Sequence, residues 1–158
     1  MSLPPLARKL LLLAHLTTSV GFVGAVAAFL VLAISGLNGR PVYADLQLVA
    51  WWVALPAAWL SLILGLVSAL GTPWGLVRHW WVIAKLVLTV VAVAVLQLQM
   101  RTIDALAKAQ ADGTLASLAA GKSAMVLHAS GGLAVLLLLA LLSVFKPRGV
   151  TRFAPRIA

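Results

Sequence analysis

Cysteine is absent from this chain, and acidic residues are down to Asp45, Asp104 and Asp112. The first absence excludes disulfides, thiolate metal sites and covalent c-type haem attachment. The second leaves no paired carboxylates for general acid–base work, and no phosphate loop, CxxC or Ser-His-Asp pattern makes up for it. Sulfur is confined to Met1, Met100 and Met125, scattered along the chain, whereas soft copper sites need clustered thiolates or thioethers. Charge of either sign is scarce. Only 9% of the 158 residues are charged, against about a quarter in a soluble domain, which leaves too few to keep the chain in water.

In place of charge there is hydrocarbon. Hydrophobic residues make up 63% of the sequence, and they fall into long runs at Leu10 to Ser35, Leu46 to Leu70, Trp80 to Leu98 and Ala124 to Phe145. Apolar runs longer than about 18 residues read as membrane helices. The first run exceeds the roughly 7–15 residues of a signal core and ends without an A-x-A-like site, so it is expected to be a retained span. Little chain remains for a second domain. The expectation is one all-α domain over residues 1–158, an integral membrane antiparallel four-helix bundle.

Basic residues give that bundle a direction. Arg8 and Lys9 precede the first run, Arg78 lies between the second and third, and Lys146, Arg148, Arg152 and Arg156 follow the fourth, with no acid among them. The opposite end holds Arg40, Arg101, Lys108 and Lys122, offset by the three aspartates. Lys and Arg concentrate on the cytoplasmic side, so both termini are predicted to be cytoplasmic. The net charge of +9 then reads as a clamp on anionic headgroups, not as a nucleic-acid surface.

Local signals refine the picture. The first helix should open at Pro4 or Pro5 and close near Gly36, carrying Ala14, Thr18, Gly21, Ala25 and Ala28 as one small-residue stripe for close helix packing. Tyr43, Trp51 and Trp52 read as interfacial aromatics, and Pro56 as a kink. Gly71 should end the second helix, with Thr72 and Pro73 opening the third. In "RTIDALAKAQADGTLASLAAGK", Arg101 to Lys122, the helical spacing of Ile103, Leu106 and Leu118 and an Asp104–Lys108 pair predict a hairpin. It is broken at Gly113 and Thr114 and carries helices 3 and 4 beyond the outer face.

The ionisable residues within the runs are the candidate site. At about 1.5 Å per residue, His15 and Lys85 both lie roughly 8 Å below the cytoplasmic surface, sharing a layer with Thr17, Thr18 and Ser19. Arg78 and His79 fall at headgroup level beside Trp74, Trp80 and Trp81. His128 lies about 25 Å from that surface, too far along the rise to share one haem iron with His15. A gap among Ala129, Ser130, Gly131 and Gly132 beside it can admit a flat ligand or another helix. An ionisable group in hydrocarbon costs at least about 2.5–3.5 kcal/mol, so each is either satisfied locally, snorkelling, or functional. His15 can bond Ser19, or serve as a ligand or proton relay. Lys85 can reach the surface, or pair with a carboxylate of a bound molecule.

The segments "LAHLTTSVGFVGAVAAF" (13–29), "GTPWGLVRHWWVIAKLVLTV" (71–90) and "LSVFKPRGVT" (142–151) resemble a family of small four-span bacterial membrane proteins of unknown function. More distantly, the early His of the first helix and the Lys-Leu of a later one resemble the copper-resistance protein D superfamily, which includes the HemJ-type protoporphyrinogen oxidase. That resemblance implies haem or porphyrin association for His15 and Lys85, with haem b as cofactor and His15 as iron ligand. His79 and His128 are further candidate cofactor contacts. The other polar motifs of that enzyme are missing. The readings that follow are a haem-, porphyrin- or quinone-associated redox protein, or a non-catalytic subunit of a membrane complex or homo-oligomer.

Overall fold

The computed structural model describes residues 4–71, 76, 78–145, 149 and 151. Thr72, Pro73 and Trp74, and the basic tail at Lys146, Arg148, Arg152 and Arg156, lie outside them. All regular elements among the described residues are helical: α1 (Pro5–Leu37), α2 (Tyr43–Val49), α3 (Leu55–Leu70), α4 (Trp80–Ala111) and α5 (Ala119–Phe145). A π-helical turn (Ala50–Ala54) joins α2 to α3, and a 3₁₀ turn (Leu115–Leu118) leads into α5. Four continuous helical stretches are long and apolar enough to cross a membrane: Pro5–Leu37, Tyr43–Leu70, Trp80–Ala111 and Leu115–Phe145.

The long helices close into a ring, as in a four-helix bundle. α1 packs against α3 and α5, α4 packs against the same two, and α2 wedges between α1 and α4. Two hydrophobic clusters fill the interior. One gathers Phe29, Tyr43, Leu46, Met100, Ile103, Leu106 and Met125, and the other Phe22, Val26, Ala58, Val93, Leu136 and Leu139. The buried face of α1 is therefore Phe22, Ala25, Val26, Phe29, Ala33 and Gly36. The small-residue stripe does not do the packing: Ala25 is buried, but Gly21 and Ala28 are exposed, and a Cβ on Gly21 would meet nothing within 4 Å. Phe22, Val26 and Phe29 supply the volume on that face, while Ala25, Ala33 and Gly36 leave room for neighbouring helices.

Several local expectations change for identifiable reasons. Tyr43 is not interfacial. It is 1% exposed, and its ring lies so close to Gly36 that a Cβ there would sit 2.8 Å from Cζ. α4 begins at Trp80, directly after an extended His79 (φ −127°, ψ 134°). Pro56 is accommodated by the preceding π-helical turn. Proline has no N–H and its ring crowds the carbonyl one turn back, and an inserted wide turn relieves both problems. Asp104 turns away from Lys108 and accepts hydrogen bonds from Gln47 Nε2 at 2.7 Å and Trp51 Nε1 at 2.8 Å.

The break at Gly113 and Thr114 holds. Gly113 takes φ +70°, the left-handed conformation glycine adopts freely, and Thr114 precedes the 3₁₀ turn. α4 runs 32 residues, about 48 Å at the helical rise, well beyond the roughly 30 Å of a hydrocarbon core. The end of α4 toward Ala111 is not bare, since α2 lies on it through Leu46, and through the Tyr43 N–H donating to Gln110 Oε1 at 2.8 Å.

Candidate functional site

Sequence reasoning put His15 and Lys85 in one layer, and the helices bring them near enough to act on each other electrostatically. The layer is built from short polar side chains on four helices. Ser19 on α1 bonds Ser61 on α3 at 2.8 Å, so Ser19 is engaged across the bundle and not with His15. The imidazole lies over Gly65, where a Cβ would be 3.0 Å from its Cε1; the missing side chain makes its room. His15 Nδ1 is buried without a hydrogen bond, as is Ser68 Oγ one turn beyond Gly65.

Lys85 donates to Ser143 Oγ on α5 at 2.5 Å, and Ser143 donates on to the Leu139 carbonyl at 2.8 Å. The Lys85 ammonium also stands 5.9 Å from the Trp81 ring, where the aromatic face attracts a cation. A hydroxyl, a relayed carbonyl and an indole face thus stabilise this charge inside an apolar run. His79 sits at the entrance to α4 beside Trp81, ring centroids 6.3 Å apart. The adjacent Arg78 carbonyl accepts the Thr151 N–H at 3.0 Å, which ties the segment after α5 to the start of α4.

His128 occupies a different level. Its partner helix position, Gln99, lies 14 residues beyond Lys85 on α4, about 21 Å by the helical rise. One haem cannot bridge His15 and His128, as the sequence implied. The His128 Nδ1 lies 2.7 Å from the Ala124 carbonyl, which can only accept, so Nδ1 carries the proton and Nε2 is the acceptor. Gln99 Nε2 approaches it at 3.3 Å, a long bond that a better donor can displace.

Next to this pair opens a cavity of about 380 Å³ between α4 and α5, floored by Phe22, Val26 and Phe29 of α1. It spans Leu88 to Ile103 on α4, a reach of about 22 Å by the rise. Gln99 and His128 are its polar residues; the rest of the wall is apolar or glycine. Gly131 and Gly132 keep the α5 wall flat, and a Cβ on Gly131 would meet nothing within 4 Å. Of the four candidates, His128 lines this cavity, while His15, His79 and Lys85 do not. The gap beside Ala129 to Gly132 was legible in sequence. Gln99 was missed, although Leu88, Ala92, Leu96, Gln99 and Ile103 recur at helical spacing and form one stripe that includes it.

No group of three or more metal-ligating side chains occurs among the described residues. Of the histidines, His128 has the form an axial haem ligand needs, with Nδ1–H fixed by a carbonyl and Nε2 left as the donor atom. The chain matches no protein-family model, and no curated protein or solved structure matches it either.

Proposed function

We propose that this chain is a multi-pass protein of the bacterial inner membrane, an antiparallel bundle with both termini cytoplasmic and the α4–α5 hairpin beyond the outer face. We place in it a lipid-soluble ring cofactor, haem b or a quinone, bound in the α4–α5 groove. The orientation rests on the one-sided basic residues, and the antiparallel arrangement on contacts such as His15 with Gly65 and Gly36 with Tyr43. The ligand reading rests on one observation: an apolar groove of about 380 Å³ ends in a single polar pair, Gln99 and His128. Pockets of roughly 300–1,000 Å³ with apolar walls and a few convergent polar groups are the usual form of small-molecule sites.

The polar pair suits either class. The Gln99 amide donates to a carbonyl, and His128 Nε2 accepts from a hydroxyl or ligates iron. A haem bound there would supply one-electron redox chemistry, and the chain's own contribution would be orientation and exclusion of water. The inner His15–Lys85 layer fits a cofactor less well, because Lys85 is already held by Ser143 and Trp81 and neither residue borders the groove.

The test begins with the protein purified in mild detergent. Its visible spectrum is recorded before and after haem addition, and its lipid extract is assayed for quinones. A Soret band or a co-purifying quinone is expected, reduced in Gly131→Leu, which adds bulk to the groove wall at a position where a Cβ meets nothing within 4 Å. A well-folded sample that takes up neither haem nor quinone would reject the cofactor reading.

A further inference from the structure

A second polar feature lies at the far end of the bundle from Lys85. Asp104 on α4 is half-buried, and its Oδ1 takes both the Gln47 amide and the Trp51 indole N–H. Among the described residues it has no cationic partner; the neighbours on its own helix, Arg101 and Lys108, are both exposed. Both of its hydrogen bonds come from neutral donors and fall on one oxygen, so no ion pair meets this carboxylate at contact distance among the described residues.

Against this charge stands an aromatic shelf. Trp51 and Trp52 are exposed, Trp52 to 78%, and together with Gln47 and Leu48 they line a second cavity of about 300 Å³. The two indoles are adjacent in sequence, and on a regular helix they would diverge. They fall within the π-helical turn (Ala50–Ala54), whose wider winding reduces the angle between successive residues and brings both onto one cavity. The indole N–H of Trp51 bonded to the carboxylate pushes electron density into its ring, which strengthens that ring's attraction for a cation. Asp104 is not in the cavity wall but lies at the edge of the Trp51 ring, and indole faces backed in this way by a carboxylate are the components that recognise an alkylated ammonium ion. A neutral ligand would gain nothing from Asp104, and an anion would be repelled.

The geometry points to a binding site for an organic ammonium group at Trp51, Trp52 and Asp104. The ammonium belongs either to a lipid headgroup or to a free amine, and the chemistry of recognition is the same for both. The site stands apart from the α4–α5 groove, so it holds or fails independently of the cofactor reading.

The test uses the full chain in phosphatidylglycerol nanodiscs, titrated with choline and, separately, with its neutral isostere 3,3-dimethylbutan-1-ol, by calorimetry or saturation-transfer NMR. Choline is expected to bind about two- to fivefold more tightly than the isostere, the size of an exposed cation–π contact. Asp104→Asn should reduce that preference, and Trp52→Ala should weaken choline about two- to fivefold. The exposed Trp52 position keeps the second variant foldable should the first disturb α2. Retention of phosphatidylcholine on the purified protein, displaced by choline, assigns the headgroup as the source. Choline binding without lipid retention assigns a free amine. Equal binding of choline and the isostere, or no response to either substitution, overturns the proposal.

Discussion

Gly36→Ala should destabilise the bundle by about 2 kcal/mol, in the range typical of an added methyl in a packed core. The new Cβ would lie 2.8 Å from Tyr43 Cζ and 2.9 Å from its Oη, closer than unbonded atoms tolerate. Relief requires the ring to retreat, and its route is closed. Tyr43 is 1% exposed within the cluster of Phe29, Leu46, Leu106 and Met125, and its own N–H is pinned to Gln110. The helix propensity gained by replacing glycine, up to about 1 kcal/mol, works the other way and is included in that net figure. The control is Gly21→Ala on the same helix, where the Cβ meets nothing within 4 Å; it should be neutral or stabilising by up to about 1 kcal/mol. Both are compared by reversible unfolding in mixed micelles, following helicity. Equal stability of Gly36→Ala and Gly21→Ala would refute the claim that Tyr43 locks α2 onto α1.

Tyr43 Oη is buried without a hydrogen bond, so Tyr43→Phe should leave stability unchanged or raise it by about 1 kcal/mol; a clear loss in the same unfolding assay would mean that the hydroxyl has a partner. Ser143→Ala removes an acceptor for Lys85 and should cost about 1–2 kcal/mol. Lys85→Met removes the charge together with its need for that acceptor and should be tolerated better than Ser143→Ala, with the reverse order counting against a structural role for the lysine. Gly65→Leu should expel the imidazole of His15, lowering stability by about 1–3 kcal/mol, and His15→Ala in the same chain should restore much of it.

The sequence announced the four apolar helices because each is a long uninterrupted run, and length against bilayer thickness is a signal that needs no tertiary information. It also placed the Gly113 break and the termination of the second helix at Gly71, where local backbone chemistry decides. What it missed depends on rotation about helix axes. A single residue sets whether Tyr43 faces headgroups or core, and the close approach of Gly36 to that ring is a pairing across a turn that no spacing rule encodes. The same holds for Asp104. Its i,i+4 relation to Lys108 is real on the helix surface, but exposed pairs contribute only a few tenths of a kcal/mol, and two neutral donors, one from α2 and one from the π-helical turn, outcompete one. For the site, the histidines and Lys85 were conspicuous because ionisable groups are rare in apolar runs. Gln99 was not, because an amide costs less to bury and stands out less.

The α4–α5 crevice explains how these pieces combine. At one end Lys85 on α4 is clasped to Ser143 on α5; at the other, Gly121 lets α5 close onto Thr102 and Leu106, whose methyl groups would lie 3.6 Å from a Cβ there. Between the two clamps the walls carry Val91 and Val95 against Leu127, Gly131 and Gly132, and the helices stand apart. A gap in a water-soluble bundle would collapse under the hydrophobic effect, but hydrocarbon tails solvate these walls as well as leucine does, so the crevice can stay open at little cost. Lys85 then needs no catalytic role to explain its place. A charge held by a hydroxyl and an indole fixes the spacing of two helices more strictly than a leucine would, since an ammonium released into hydrocarbon has nowhere favourable to go. For the cofactor proposed above, spacing at that clamp would set the width of the groove beside His128, so that a residue outside the groove governs what enters it.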